Sequence, residues 1–519
     1  MTKTRARIPV IDLFAGPGGL GEGFSCLRAG SPSGEPCFEI RLSIEKDPLA
    51  HRTLELRSLF RTFEGHVPDA YYDYLRGEIT REELFAIPAL AGNVDRARHE
   101  AWNMTLALEN HAAVSRRVKD AIGGSATWVL IGGPPCQAYS LVGRSRMRAD
   151  GIERFEADAR HFLYRKYLQI TAAPAPPVFI MENVKGLISA THSGSRMFER
   201  IVSDLSRPGG GGHRYRIVPL QGSQDLLGAS PSEFIVRAEQ FGVPQARHRV
   251  ILVGIRADIS GTPLPPKLQQ AATVEEVFSG LPRIRSRLSK EEDNQSAWLD
   301  ALETARREVR SSEITGARKV AEVMGENLRW ARLIDDTGAG FTSVRYPKSQ
   351  MSGPKADLGR WLADPALGGV TGHSTRSHMR DDIKRYFFAA AFAKAFGISP
   401  KIRDFPRALL PRHRNALAGD DSIPFEDRFR VQLADHPSTT IVSHISKDGH
   451  YYIHPDPAQC RSLTLREAAR LQTFPDNYHF EGNRTQQFVQ VGNAVPPYLA
   501  AKIAQSVHAV LSDSTVDVQ

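Results

Sequence analysis

An apolar segment that runs directly into a glycine-rich turn constrains the fold of this chain more than any other feature. Residues 8–14 read IPVIDLF, and residues 15–23 read AGPGGLGEG. Short apolar runs bounded by turn residues are typical of buried strands in a parallel sheet. Comparable runs occur at residues 38–47, 127–135, 176–184, 214–220 and 249–255. Since helical patterns separate these runs, the sequence predicts an α/β fold with a doubly wound parallel sheet covered by helices on both faces.

The chain has 519 residues, which is enough for more than one domain. The alternation of strands and helices fades after residue 262 and resumes near the C-terminus. We therefore expect a first domain at 1–262, with a helical insertion at about 55–120, and a second, smaller domain at 263–484. Residues 485–519 are expected to return to the first domain.

Charge and cysteine usage narrow the classes of protein to which the chain can belong. Its four cysteines form no C-x-x-C pair and are too few for a disulfide framework, which indicates a reducing compartment. No run approaches the ~18 apolar residues that span a bilayer, and the N-terminus lacks the apolar core of a signal peptide. A cytoplasmic protein without membrane contact is therefore expected. The net charge of +9 favours a polyanionic partner.

The glycine-rich turn contains a G-x-G-x-x-G pattern at Gly16, Gly18 and Gly21. Such glycines let the backbone approach the pyrophosphate of a dinucleotide. They also fit a nucleoside cofactor without pyrophosphate, S-adenosylmethionine, with Phe14 stacked on the adenine and Glu45 on the ribose hydroxyls. A turn that binds no ligand is the third interpretation. The turn alone leaves all three open.

A cysteine follows the apolar run at 127–135, within the segment GGPPCQAYS at 132–140. Cys136 is thus expected at the carboxyl end of a parallel strand, the edge where open α/β sheets bind their ligands. Free cysteines are more commonly buried and unreactive. Here, however, two prolines restrict the backbone before Cys136, and the basic segment at 143–148 would raise the thiolate fraction of a nearby thiol.

Two other predicted strands present polar side chains. Glu182 lies at the end of the run FIMEN, and Gln245, Arg247 and Arg249 occupy alternate positions that share one face of an extended chain. The plain interpretation is a surface glutamate and a solvated strand edge. The functional interpretation is a carboxyl group and two guanidinium groups directed at a base and a phosphate.

Six segments, in their order along the chain, resemble the DNA (cytosine-5)-methyltransferases of the bacterial type. They are DLFAGPGGLGEGF, GGPPCQAYS, MENV, PQARHR, SLTLREAARLQTFPD and GNAVPP. The resemblance covers residues 8–262 and 435–507, and it implies a Rossmann-like, S-adenosylmethionine-dependent methyltransferase fold. The domain at 263–484 matches the family's target-recognition domain in position only, and it is expected to read DNA.

The resemblance also implies a role for each candidate catalytic residue. Cys136 would add to carbon 6 of a cytosine, and Glu182 would contact ring nitrogen 3 and the amino group. Arg249 would bind the carbonyl group at position 2, and Arg247 would hold the site or a phosphate. The methyl donor would be S-adenosylmethionine. The residues implied to bind it are Asp12, Phe14, Gly16, Gly18, Gly19, Leu20, Glu45 and Asn493.

The acid that would contact the adenine amino group is not evident from the sequence, and Asp120 is the candidate. No metal site is expected, because His444, His450 and His454 form no recognised zinc pattern with Cys460. We expect the histidine-containing segment at 438–456 to be strand-like. In the segment at 462–476, Leu465, Ala468, Ala469 and Leu471 predict the buried side of a helix, with Arg466 and Glu467 as structural anchors.

The implied substrate is a cytosine extruded from a specific sequence of double-stranded DNA. The implied setting is restriction–modification or phage defence, with cognate restriction or defence proteins as possible partners. A cytosine methyltransferase acting on RNA and a non-enzymatic DNA-binding protein are the alternatives. The long segment after residue 262 favours DNA, because groove reading needs a dedicated surface. The presence of Cys136, Glu182 and Arg249 favours an enzyme.

Overall fold

A computed structural model describes most of the chain. The described residues are 6–30, 34–107, 109–135, 163–192, 195–210, 212–221, 230–344, 351, 355–411 and 426–513. They form two compact units, of which the first comprises residues 1–68, 85–270 and 494–519 and the second comprises residues 69–84 and 271–493. None of the helices within the described ranges has the length and apolar character needed to cross a membrane.

The first unit is built on one sheet, which has eight strands among the described residues. The strands are β1 (Ile8–Leu13), β2 (Phe38–Glu45), β3 (Ala101–Asn103), β4 (Val129–Gly132), β5 (Val178–Val184), β6 (Tyr215–Val218), β7 (Ile235–Arg237) and β8 (His248–Arg256). Their order across the sheet is β3-β2-β1-β4-β5-β8-β6, and β7 also pairs with β8. The neighbouring pairs among β1 to β5 are parallel, whereas β8 is antiparallel to β5, β6 and β7.

Both faces of this sheet are covered. Val10 and Ile11 are consecutive residues of β1 and point to opposite faces, yet neither is exposed to solvent. Among the described residues, the helices of the first unit are Gly19–Ser25, Pro48–Arg61, Ala91–Glu100, His111–Ile122, Leu163–Ala172, Met197–Ser206 and Pro497–Asp513. The prediction of a doubly wound α/β sheet is therefore confirmed.

Local sequence explains why these helices begin where they do. Asp47 accepts hydrogen bonds from the backbone N–H groups of Leu49 and Ala50, and Pro48 occupies the first helical position of Pro48–Arg61. Both features are typical of a helix N-terminus, because the first N–H groups have no partner within the helix. The cap places this helix directly after β2.

The second unit is mainly helical. Its helices are Asp69–Arg76, Val274–Phe278, Gln295–Arg310, Ala317–Ala331, Ala356–Leu362, Arg380–Phe396, Leu465–Leu471 and Arg484–Asn493, and the helix Arg81–Ala86 begins in it. Its short strands include Arg287–Leu288, Phe341–Ser343, Gly369–Thr371 and Ser377–His378. The three longest helices form its core around Trp298, whose indole N–H donates to the Ser286 hydroxyl over 2.9 Å.

The sequence-based prediction for the segment at 462–476 is confirmed, whereas that for the segment at 438–456 is wrong. The helix Leu465–Leu471 is buried along its whole length, and Thr464 and Glu467 form a capping box at its start, as expected for a structural element. The segment at 438–456 is not strand-like. It contains a two-residue strand, Ser438–Thr439, a helical turn at Ser443–Ser446 and isolated bridges at Ile453, since backbone N–H groups such as those of Thr439 and His450 donate to the side chains of Gln432 and Asp448 and not to a neighbouring strand.

Candidate active site

The carboxyl ends of β1 to β5 meet at one edge of the sheet, and β8 begins at the same edge because it runs antiparallel to β5. The chain order reverses between β1 and β4, which are neighbours in the sheet. Open α/β sheets bind ligands in the crevice at such a switch point. Most of the predicted site residues lie on the loops and strand ends at this edge.

The turn after β1 has an unusual backbone. Phe14, Gly16 and Gly18 all have positive φ angles, of 56°, 58° and 98°. This conformation is free for glycine but costly for other residues, so Phe14 is held there by its surroundings. A Cβ atom placed on Gly16 would meet no described atom within 4 Å, so this position borders open space.

Other glycines of the turn are explained by packing inside the first unit. A Cβ atom on Gly19 would lie 2.2 Å from the carbonyl oxygen of Val495, and one on Gly23 would lie 2.4 Å from the Cβ of Ala500. The helix Gly19–Ser25 therefore touches the C-terminal segment of the chain backbone to backbone. Leu20, on the same helix, is buried.

Glu45 is placed at the end of β2 and contacts the glycine turn. Its carboxylate accepts hydrogen bonds from the backbone N–H of Gly16, over 2.9 Å, and from that of Asp47, over 2.8 Å. Both bonds hold the carboxylate beside the open space at Gly16.

Asn103 occupies the corresponding place on the next strand. It pairs in register with Glu45, and its side-chain amide donates to the backbone carbonyl oxygen of Glu45 over 2.9 Å. Asp120 is instead exposed on the helix His111–Ile122, which leads into β4. Sequence reasoning missed Asn103 because β3 is only three residues long and lacks an apolar run. No pattern in the sequence pairs Asn103 with Glu45; the pairing is visible only in the strand register.

Asp12, within β1, is completely buried, and both carboxyl oxygens lack a hydrogen-bond partner of normal geometry among the described residues. Burial raises the pKa of Asp12 to about 8, while the positive charge of Arg61 and the backbone N–H of Gly21 oppose that shift. Without a paired cation, the neutral carboxyl group is favoured in this apolar setting.

Glu182 and Arg249 form an ion pair at the same sheet edge, with 2.9 Å between Arg249 Nε and a carboxylate oxygen of Glu182. Only 14% of the Glu182 side chain and 12% of the Arg249 side chain are exposed. A Cβ atom on Gly133 would lie 3.0 Å from the Glu182 carboxylate, so the chain that leaves β4 passes directly beside this pair. Asn183 donates to the carbonyl oxygen of Pro134 over 3.4 Å and ties the same stretch to β5.

Arg247 has a different environment from Arg249. It is buried, and its guanidinium group donates to the carbonyl oxygen of Ala494 over 2.8 Å. Its backbone N–H donates to the carbonyl oxygen of Gln245 over 2.8 Å, which bends the chain before β8. The expectation that Gln245, Arg247 and Arg249 share one extended face is therefore wrong.

Two predicted site residues, Cys136 and Asn493, do not take part in the contacts described above. Cys136 lies outside the described residues, as does the basic segment at 143–148; the described chain ends at Pro135, three residues after β4. Asn493 is exposed at the last position of the helix Arg484–Asn493, in the second unit, and Ala494 begins the return to the first unit.

Comparisons with known proteins agree on one family. Residues 109–509 match the family model described as C-5 cytosine-specific DNA methylase. The type II methyltransferase M.Bpa9945I of Bacillus paralicheniformis is 31% identical over 97% of this chain and 99% of its own length. The DNA (cytosine-5-)-methyltransferase M.ApeKI of Aeropyrum pernix is 26% identical over 74% of this chain and 81% of its own length. A crystal structure described as a candidate DNA modification methyltransferase from an E. coli prophage shares the fold, with a TM-score of 0.53 at 18% identity over 97% of this chain and 99% of that one.

Proposed function

The chain belongs to the C-5 cytosine-specific DNA methylase family and is a DNA (cytosine-5-)-methyltransferase, and from this we propose that its methyl donor is S-adenosylmethionine and its substrate a cytosine extruded from a specific duplex sequence. The observation that best supports the reaction is the Glu182–Arg249 pair beside Gly133. It places an acid and a hydrogen-bond donor next to the segment that leads to Cys136.

The turn after β1 has the features that the proposed cofactor needs. Gly16 borders open space, and the Glu45 carboxylate stands beside it, where it would accept hydrogen bonds from the two ribose hydroxyls. Phe14 would pack against the adenine, and Asn103, one strand further, would contact the adenine edge in place of an acid. The remaining residues proposed for this site are Asp12, Gly18, Gly19, Leu20 and Asn493. When bound, S-adenosylmethionine supplies an electrophilic methyl group.

The same geometry argues against a dinucleotide. A pyrophosphate in a G-x-G-x-x-G turn needs the backbone N–H groups of that turn. Here the N–H of Gly16 already donates to the Glu45 carboxylate, whose negative charge would repel a phosphate. Of the two ligands that the sequence left open, the cofactor without phosphates is therefore the one we propose.

The proposed chemistry begins with Cys136. Its thiolate donates an electron pair to carbon 6 of the cytosine, so that a carbon–sulfur bond forms and the ring electrons move to carbon 5 and nitrogen 3. Glu182 would hydrogen-bond to nitrogen 3 and the amino group, and Arg249 to the carbonyl oxygen at position 2. Carbon 5, now nucleophilic, would take the methyl group, and the electron pair of the broken sulfur–methyl bond would remain on the sulfur of the donor. Loss of the carbon 5 proton and departure of the thiolate with its electron pair then restore the aromatic ring.

Arg247 is proposed to position these groups and not to touch the base. Its buried bond to Ala494 fixes the bend that precedes β8, and that bend sets where Arg249 emerges. The base itself must leave the helix stack, which costs on the order of a few kcal/mol. Contacts of the protein with DNA phosphates can offset that cost.

A covalent trapping experiment tests the mechanism. Bisulfite sequencing of DNA from cells that express the protein would first identify the methylated sequence. With S-adenosylmethionine supplied, a duplex with 5-fluorocytosine at that position should then form a stable adduct with the wild type, because after methyl transfer the fluorine cannot leave carbon 5 as a proton does. The Cys136→Ser variant should form no adduct, whereas Cys26→Ser, which removes an exposed free thiol elsewhere, should form it normally. An adduct with Cys136→Ser, or none with the wild type, would contradict the proposal.

We further propose that methylation protects host DNA from a cognate restriction or defence nuclease, as the type II designation of the relatives indicates for those proteins. Transfer of labelled methyl groups to duplex DNA and to transfer RNA, measured side by side, separates this proposal from an RNA methyltransferase. Transfer to RNA alone would refute it.

A further inference from the structure

Three arginines of the second unit, Arg287, Arg376 and Arg484, are near enough to perturb one another. Burial and the positive charge of Arg484 lower the pKa of Arg376 to about 10. Partial burial and the charge of Arg287 likewise lower the pKa of Arg484. Neighbouring like charges disfavour the charged forms of one another. An anion bound among the three guanidinium groups would relieve this repulsion.

Backbone and ring contacts bring the three residues together. The N–H of Arg287 donates to the carbonyl oxygen of Arg376 over 3.3 Å, next to the pairing of Arg287 with Ser377. The Arg376 guanidinium lies over the ring of Phe488, 4.2 Å from its centroid. Phe488 is one helical turn from Arg484, so the two stand on the same face of the helix Arg484–Asn493.

These arginines differ from most others in the second unit in having no carboxylate partner. The pairs that other arginines form include Arg285–Asp293, Arg380–Glu291, Arg461–Glu467 and Arg470–Asp476. For Arg287, Arg376 and Arg484, no carboxylate oxygen lies within 4.0 Å in the part of the chain that the structure describes. Arg287 and Arg376 do donate to local oxygens, those of Thr337 and Ile445, and these uncharged oxygens fix their side chains without forming an ion pair.

A cavity of about 450 Å³ adjoins Arg376. Its lining includes the cations Arg376, Arg428 and Lys447, the hydroxyl groups of Ser289 and Ser377, and the carboxylates Asp382 and Asp448. The two carboxylates are paired, Asp382 with Arg385 at 2.8 Å and Asp448 with Arg428 at 3.7 Å. Arg376 and Lys447 therefore give the cavity an excess of positive charge, next to hydroxyl groups that can donate hydrogen bonds.

We infer that Arg287, Arg376 and Arg484 bind the phosphate backbone of duplex DNA, with the cavity beside Arg376 accepting one phosphate. This inference rests on the proposed function, since it names the surface that would hold the substrate. Guanidinium groups present paired N–H donors that match phosphate oxygens, and phosphate contacts set the position of a protein on DNA without reading its sequence. The three arginines should therefore support binding to any duplex equally.

The expected effect follows from counterion release. Each phosphate contact contributes about 0.9 to the slope of log affinity against log salt. Loss of one contact should thus weaken binding about 15-fold at about 50 mM salt and only about 4-fold at about 200 mM. Loss of two contacts should weaken it about 200-fold and about 20-fold under the same conditions.

The experiment measures DNA affinity by fluorescence anisotropy across that salt range. The probes are a labelled duplex with the methylated sequence and a duplex of equal length without it. The variants are Arg287→Gln, Arg484→Gln and the double variant, both positions being exposed. Arg318→Gln is the matched control, because Arg318 is an exposed arginine of the same unit that pairs with Glu322 at 3.0 Å. Thermal unfolding of each variant verifies that it is folded.

A lower salt slope in the Arg287 and Arg484 variants, equal on both duplexes and absent in Arg318→Gln, supports the inference. An unchanged slope in the double variant overturns it, as does a loss confined to the specific duplex, or a loss as large in Arg318→Gln. Methyl transfer by the wild type is measured separately. A wild type that binds DNA with an arginine-dependent slope but transfers no methyl group would overturn the proposed function and leave the arginine site supported.

Discussion

Replacing Gly23 by alanine should loosen the connection between the glycine turn and the C-terminal segment. A Cβ atom at this position would lie 2.4 Å from the Cβ of Ala500, 2.5 Å from the backbone nitrogen of Ala501 and 2.5 Å from the carbonyl oxygen of Pro497. None of these atoms belongs to a side chain that can rotate away. The helix Gly19–Ser25 and the helix Pro497–Asp513 must therefore move apart by roughly 1 Å to restore ordinary contact distances.

The free energy of this change can be assembled from two opposing effects. Overpacking costs typically about 1–3 kcal/mol, and three fixed contacts place Gly23→Ala at the upper end of that range. Alanine in a helix interior gains back about 1 kcal/mol relative to glycine. The free energy of unfolding should thus fall by about 2 kcal/mol.

Gly92→Ala is the matched control. Gly92 lies in the helix Ala91–Glu100 of the same unit, and a Cβ atom there would meet no described atom within 4 Å. The same substitution should therefore raise the free energy of unfolding by up to about 1 kcal/mol. Urea unfolding followed by circular dichroism measures both variants, and calorimetric titration with S-adenosylmethionine should show weaker binding only for Gly23→Ala. Equal stability of the two variants, or a Gly23→Ala protein as stable as the wild type, would refute the packing argument.

Three further changes test the site and the second unit. Glu182→Gln should lower the rate of methyl transfer about 10²–10³-fold, because the charge that stabilises the ring is lost; cofactor affinity by calorimetry should not change, and a rate near that of the wild type would contradict this role. Burial raises the pKa of Asp12 from 3.8 to about 8, so the folded protein holds a proton there that the unfolded chain releases, and stability should fall as the pH rises from about 4 to about 8. Asp12→Asn should remove that decline in urea midpoints measured across this pH range, and an unchanged decline would contradict it. Glu467→Ala should lower the free energy of unfolding by about 3–5 kcal/mol, because it leaves the buried Arg461 without the carboxylate that accepts its hydrogen bonds over 2.6 and 2.7 Å. The double change Arg461→Met with Glu467→Leu should recover much of that loss in the same urea assay, and no recovery would argue against a charge effect.

The sequence predicts the sheet well because each buried strand is a short apolar run that needs no partner to be recognised. Ile8–Leu13, Phe38–Glu45 and Val178–Val184 are all found within the predicted runs. The same signal fails for β3, whose three residues are held in the sheet only by pairing with β2. Asn103 was therefore not a candidate from the sequence, whereas Asp120, the sequence-based candidate for the adenine contact, lies on an exposed helix face.

Alternate positions in the sequence also fail to predict which side chains share a face where the backbone bends. Arg247 and Arg249 are two residues apart, and in an extended strand their side chains would lie together. The hydrogen bond from the Arg247 N–H to Gln245 turns the chain, and so one guanidinium meets Ala494 while the other meets Glu182. No property of these residue types reveals where the Arg247 side chain goes, because the carbonyl group that accepts its hydrogen bond is nearly 250 positions later in the chain.

In the glycine turn, the hydrogen bond between Gly16 and Glu45 gives information on the class of ligand that the G-x-G-x-x-G motif does not give. A G-x-G-x-x-G pattern states only where backbone can approach a ligand, and it is silent on the charge of that ligand. The bond between the Gly16 N–H and the Glu45 carboxylate adds that information, since it uses a donor that a phosphate would need and places a negative charge beside the open space. A ligand seated there should therefore carry hydroxyl donors and no phosphate next to Gly16. S-adenosylmethionine satisfies both conditions, whereas the pyrophosphate of a dinucleotide would have to bind N–H groups other than that of Gly16.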